Sequence, residues 1–232
     1  MDEFALIQRI RRLFEPTGSP GPGIVLGNGD DAAVLDTDGE GLVATTDSLV
    51  EGTHFRWDLC RPRDVGFKAA AVSLSDLAAM GARPLALLVS FTLPADLDDK
   101  QVIGVSRGLA RACRGFGVSV VGGNVAGTQG PFEVNIAALG RTLDGRYLTR
   151  SGARPGDLVL VSGHLGSAAL GLAVLMDEDV PSNRYRTLVR AFLRPEPRLE
   201  LGLSVLETPG VHCAMDVSDG FLADLGHLVR AS

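Results

Sequence analysis

Two long stretches of helical periodicity, each bracketed by short apolar runs of strand length, constrain the fold of this chain more than any other feature. From Asp64 to Met80, Val65, Ala69, Val72, Leu77 and Met80 lie roughly on one face, and Gly81 supplies a stop. The second stretch runs from Asp98 to Phe116. Around them, Ala32 to Leu35 and Leu42 to Thr46 read as strands separated by the polar turn DTDGEG. Leu85 to Leu93 is a continuous apolar run, and Val118 to Val121 reads as a short buried strand. Phe132, Val134 and Ile136 alternate with Glu133 and Asn135, the signature of a half-exposed strand. The order from residue 32 is ββαβαββ. It predicts an α+β fold with helices on one side of a largely antiparallel sheet.

Outside this block the reading is thinner. Met1 to Phe14 has the pattern of an amphipathic helix, and residues 16–29, rich in Gly and Pro, read as a loop. The polar segment DGRYLTRSGARPGD marks a domain boundary, giving a first domain at 1–145 and a partial second one at 146–232. In the second, Leu158 to Ser162 and Cys213 to Val217 read as strands, Ser167 to Met176 as a helix and 177–186 as a polar loop. An α/β domain normally has more strands than this, and the chain stops inside a helical pattern, LGHLVRAS. A chain truncated at its C-terminal end is the expectation.

Composition narrows the function classes. The net charge of -6 argues against a nucleic-acid-binding surface, though not against a nucleotide held through a cation. Cys60, Cys113 and Cys213 have no paired spacing, which points to a reducing, cytoplasmic setting rather than a disulfide framework. No signal peptide is evident, and no apolar run approaches the ~20 residues of a membrane span.

Four segments concentrate acidic and hydroxyl residues beside apolar runs: GNGDDAAV, ATTDSLVEGTHF, VSLSDLAAMGA and AMDVSDG. Hard oxygen donors of this kind suit Mg²⁺, and converging carboxylates need a cation to offset their repulsion. Each piece also has a purely structural reading. Asp30 and Asp31 fit a turn; Thr45, Thr46 and Asp47 fit a strand end. Asp216 and Asp219 fit a helix cap with a first-turn acid, and His54 fits an exposed loop. Asp76 resists such a reading, because it sits mid-helix beside Leu74 and Leu77 and a buried carboxylate needs a partner. No P-loop sequence occurs; Gly122-Gly123 and SGHLGSAA offer close backbone approach to a phosphate.

Taken together and in order, GDDAAV, TTDSLVEGTHF, KAAAVSLSDLAAMGA, VVGGN, TRSGARPGD, LRPEPR and AMDVSDGFLADLGHLV resemble the thiamine-monophosphate kinases. These belong to the superfamily that includes aminoimidazole ribonucleotide synthetase. The resemblance covers residues 2–232. It implies transfer of the ATP γ-phosphoryl group to thiamine monophosphate, giving thiamine diphosphate. It implies two α/β domains, with the N-terminal ones of two subunits pairing into a shared barrel in a homodimer and nucleotide in the cleft between domains. It also implies roles. Asp31, Thr45, Thr46, Asp47, Asp76, Asn124, Asp216 and Asp219 would hold Mg²⁺. Gly123, Asn124, Arg150 and Ser218 would contact ATP, and His54 the substrate. The family usually has GGD where this chain has Gly122-Gly123-Asn124, so that metal position loses a charge. The family also continues beyond the point matching Ser232, with a Gly-Gly-Glu-Asp segment and a late aromatic that contact thiamine monophosphate.

The chemistry so implied joins two anions. It asks for direct in-line transfer, several Mg²⁺ ions, no covalent phosphoenzyme and little need of a general base. Two other readings compete with it. One is a truncated, non-catalytic nucleotide-binding or dimerisation module; the other is a related ATP-dependent enzyme acting on another small molecule.

Overall fold

The computed structural model describes residues 23–26, 30–37 and 40–232. The expected opening helix at 1–14 lies outside them. Six strands form one sheet in the order β1-β2-β3-β6-β4-β5: β1 (Ile24–Leu26), β2 (Ala33–Thr37), β3 (Glu40–Val50), β4 (Arg83–Pro94), β5 (Ser119–Thr128) and β6 (Glu133–Arg141). Every pairing is antiparallel except that of β4 with β5. With α1 (Pro62–Ala79) and α2 (Asp99–Phe116), the order from β2 is the expected ββαβαββ. Ile24–Leu26 adds a strand within the region expected to be loop, because the apolar triplet Ile-Val-Leu finds the free edge of β2.

Sequence explains why α1 sits at the centre. Its residues are buried around most of its circumference, including Val65, Ala70, Leu74 and Leu77, because the sheet covers one side and α2 another. Small residues permit the helix crossing. A Cβ on Gly66 would stand 1.9 Å from the carbonyl oxygen of Val105, and one on Gly108 2.0 Å from that of Arg63. The second helix is amphipathic. Asp98 accepts from the Lys100 amide and forms a capping box with Gln101, while Gly117 closes the helix at φ 68°. Phe132, Ile136, Val134, Val43 and Leu87 complete the core beneath α1.

Two corrections concern strands. The stretch expected as a short buried strand at 118–121 is a ten-residue edge strand, β5, exposed along almost its whole length. Its apolar residues deceive because nothing among the described residues covers them. Conversely, residues 158–162 are not a strand: Leu158 and Leu160 are 86% and 88% exposed. Residues 213–217 are not one either, although the Ala214 amide donates to the carbonyl of Thr149. Both have the sequence of a strand but, among the described residues, no neighbouring strand to pair with.

The chain after β6 contributes α3 (Ser167–Met176), as expected, then a 3₁₀ turn (Ser182–Arg184), α4 (Arg186–Leu193), α5 (Leu199–Glu207) and α6 (Phe221–Ala231). Of these, α4 and α5 dock on α1, and α3 packs on α4. Gly202 lies so close to α1 that a Cβ there would stand 2.0 Å from the carbonyl of Ala78. Arg194 pairs with buried Asp64 at 2.5 Å, and Lys68 sits 4.1 Å from the Phe192 ring centroid. Among the described residues no helix is long and apolar enough to cross a membrane.

Candidate metal centre

The site is built where β3, α1 and the chain beyond β6 meet. On β3, Thr45 and Asp47 point to the helix-covered side, as their register opposite Ala138 and Ile136 of β6 requires. From α1, Asp76 receives a hydrogen bond of 2.6 Å from the Thr45 hydroxyl. Asp31 comes from the turn before β2, and Asp216 from the segment before α6. Single oxygens of Asp31, Asp76 and Asp216 lie within 4.8 Å of one another. Carboxylates 45, 140 and 185 residues apart along the chain thus converge, as the sequence reading requires.

Their electrostatics follow from that convergence. Burial, then the neighbouring carboxylates Asp47, Asp216 and Asp31, push the pKa of Asp76 up to about 8 despite the Thr45 hydrogen bond. Burial also raises Asp31, to about 6, and Arg150 pulls against that shift. Asp47 is raised by burial and by Asp216; Asp216 is raised by burial, with a Ser75 hydroxyl donating to it at 2.8 Å. Arg150 pairs with Asp31 at 2.6 Å. One Asp31 oxygen, Oδ2, is buried with no hydrogen-bond partner among the described residues. A desolvated acceptor without a donor costs about 1–3 kcal/mol. A cation placed there would satisfy it. The donor set, carboxylates plus a threonine hydroxyl, is the hard-oxygen set that Mg²⁺ prefers.

The remaining sequence candidates divide. His54 follows β3 in an exposed turn, and its Nδ1 accepts from the Val50 amide at 3.0 Å. Asp219 is exposed but close enough to act on Asp216. Ser218 presents its amide to Asp224. Three residues depart from expectation. Thr46 lies opposite Ala137, so strand alternation turns its side chain to the face away from α1. Gly123 and Asn124 lie on the edge strand, beside Val89 and Ser90, with β6 and β4 between them and β3. Three interstrand spacings amount to about 14 Å. Asn124 also shares a row with Ser90, Asn135 and Ser48 on the face away from the carboxylates. This chain alone therefore does not bring Asn124 to the cluster.

Three supporting roles escape the sequence reading. Both carboxylate oxygens of Asp30 accept from the Arg150 amide at 3.0 Å, fixing the backbone whose side chain holds Asp31. Ser75 anchors Asp216. Asp224, buried in the first turn of α6, accepts from the amides of Ser218 and Gly220 and so shapes the loop carrying Asp219. Only the last had a signal, an acid in a helix's first turn; the others depend on segments distant in sequence.

Comparison with known proteins locates this arrangement. Residues 29–142 match the family model "AIR synthase related protein, N-terminal domain". The thiamine-monophosphate kinase of Escherichia coli K12 is 40% identical over 235 residues, covering 99% of this chain and 69% of that protein. The chain belongs to the thiamine-monophosphate kinase family. The Bacillus subtilis member is 32% identical and matches this chain throughout, over 71% of its own length. Among solved structures, AaThiL complexed with AMPPCP and TMP superposes with a TM-score of 0.85 at 34% identity, covering 99% of this chain and 70% of that one. The HypE–HypF complex, at 20% identity and a TM-score of 0.72, shares the fold. Kinase family membership and the α+β architecture thus agree with the carboxylate site.

Proposed function

We propose that the protein phosphorylates thiamine monophosphate to thiamine diphosphate with ATP, by direct transfer at the carboxylate cluster. One observation carries the reading. Asp31, Asp76 and Asp216 converge within 4.8 Å, with an unsatisfied buried oxygen on Asp31, in a chain 40% identical to a named thiamine-monophosphate kinase.

Asp31, Asp47, Asp76 and Asp216, with the Thr45 hydroxyl, would hold Mg²⁺, and Asp219, whose charge acts on Asp216, would be a further ligand. Bound there, Mg²⁺ supplies positive charge that offsets the repulsion between two phosphate-bearing substrates. The protein's own groups do the rest. Arg150 uses Nε and one Nη on Asp31, and its other Nη has no partner among the described residues and could take a phosphate oxygen. Asp30 holds the Arg150 backbone in place. With its Nδ1 accepting from Val50, neutral His54 carries its proton on Nε2, a donor for the acceptor substrate. The attacking phosphate oxygen is already anionic, so positioning and charge stabilisation suffice.

We also propose a homodimer, with residues 1–145 as its pairing and metal-binding domain, 146–232 as part of a second domain, and the cytoplasm as its setting. The long uncovered edge of β5 supports the dimer, because such an edge is a template for another strand. In a dimer Gly123 and Asn124 can serve a site that their own chain does not reach. The test is ADP release with ATP, Mg²⁺ and thiamine monophosphate, run beside binding of a non-hydrolysable ATP analogue. Turnover supports the kinase. Binding without turnover makes this chain a nucleotide-binding module, and turnover only with other acceptors makes it a relative of different specificity.

A further inference from the structure

A cavity whose lining shares no residue with the carboxylate cluster has the opposite charge. It measures about 750 Å³ and lies between the segment before α1, α2 and the α3–α4 region. Five arginines line it. Arg194 is paired with Asp64, and Asp58, the other lining acid, is paired with Arg56. That leaves Arg61, Arg111, Arg186 and Arg190 with no ion pair among the described residues. In a chain of net charge -6, four unpaired guanidiniums around one concavity are a marked reversal. Arg186 and Arg190 are also one turn apart on α4, where like charges at i and i+4 oppose helix formation. A bound anion removes that repulsion, and forked guanidiniums match phosphate oxygens in pairs.

The rest of the lining sets the ligand's size and shape. Trp57, Leu59, Val189 and Leu193 give an apolar wall beside the arginines. The volume falls within the ~300–1,000 Å³ of small-molecule sites. We infer that the cavity lined by Arg61, Arg111, Arg186 and Arg190 binds a phosphorylated small molecule carrying at least two negative charges, its organic part against Trp57. The site needs no divalent cation, since arginines supply the charge. It stands independently of the carboxylate centre and of the phosphorylation assigned to it.

Trp57 is the chain's single tryptophan, which makes its fluorescence a direct reporter. Inorganic pyrophosphate and ADP are titrated into the full chain in EDTA, by fluorescence and by calorimetry, at physiological ionic strength. The expected result is saturable one-to-one binding of both, tighter for ADP. The Arg186→Ala/Arg190→Ala variant, altered only on the exposed surface of α4, should bind at least about tenfold more weakly. Arg186→Glu/Arg190→Glu should abolish binding, and Asp76→Asn should leave it intact. Equal melting temperatures and circular dichroism confirm that the variants fold. No saturable signal by either method, undiminished affinity in the double variants, or loss in Asp76→Asn overturns the proposal. So does an acidic peptide or RNA oligomer that displaces ADP at lower concentration than pyrophosphate does.

Discussion

The two parts of the molecule on either side of Arg141 are held together by different means. Residues 30–141 close a hydrophobic layer between sheet and helices, with Leu74, Leu77, Phe132 and Ile136 almost fully buried. Residues 150–232 contribute helices and unpaired extended segments, with few buried side chains. The contacts that fix them include Arg150 with Asp31, Asp216 with Ser75, Arg194 with Asp64, and Gly202 against Ala78. The carboxylate site straddles this divide. Thr45, Asp47 and Asp76 ride on the rigid part, whereas Arg150 and Asp216 depend on docking. Rigid elements hold a constellation more closely than loops do. The first set should therefore govern whether the site exists, and the second how well it closes.

Substitutions can break this contrast. The largest effect is expected at Gly66. A valine there meets the Val105 carbonyl and forces α1 from α2, costing about 3 kcal/mol or more, read as a drop in chemical denaturation midpoint. Next is Asp76→Ala, which should weaken Mg²⁺·ATP-analogue binding at least about 100-fold by calorimetry, because even outer-shell partners of a metal are worth 10–100-fold. Gly202→Ala should cost less, about 1–2 kcal/mol, and locally: hydrogen exchange should quicken in 199–207 while 105–112 stays protected. Equal acceleration in both stretches would mean that the two parts unfold together. The smallest effect belongs to Ser75→Ala, about tenfold in metal affinity, since Asp216 keeps its charge and loses only its anchor.

The same divide marks what could be read from sequence. Strand and helix order in the first part was legible because alternation and helical periodicity there match real burial. Asp76 stood out as a carboxylate in an apolar helix, and it is the most perturbed acid of the cluster. Beyond Arg141 the reading failed at 158–162 and 213–217, since a strand is defined by a partner that no local pattern reveals. Val118 to Val121 misled in the opposite sense: apolar residues imply burial, but β5 is the sheet's edge. Asn124 was assigned to the cluster by resemblance, and only sheet order exposes its distance. Asp30 and Ser75 were illegible in their support roles, because each acts through a residue 120 or 141 positions away.

The central claim is that Asp31, Asp47, Asp76 and Asp216 form one cation site, and proton linkage tests it directly. The carboxyl of Asp76, ordinarily titrating near 3.8, does so at about 8 in the metal-free fold. A raised acid pKa means that the folded state holds a proton the unfolded chain has lost. The contribution of Asp76 to stability is therefore complete below about 3.8 and is lost as pH rises towards 8. At pH 7 the metal-free protein still carries that proton, and a cation must expel it. Calorimetric titration with Mg²⁺ at pH 7, in two buffers of different ionisation enthalpy, should show close to one proton released per site, and the release should vanish in Asp76→Asn. Mg²⁺ binding with no buffer dependence, or with the same proton release in Asp76→Asn, would contradict the account.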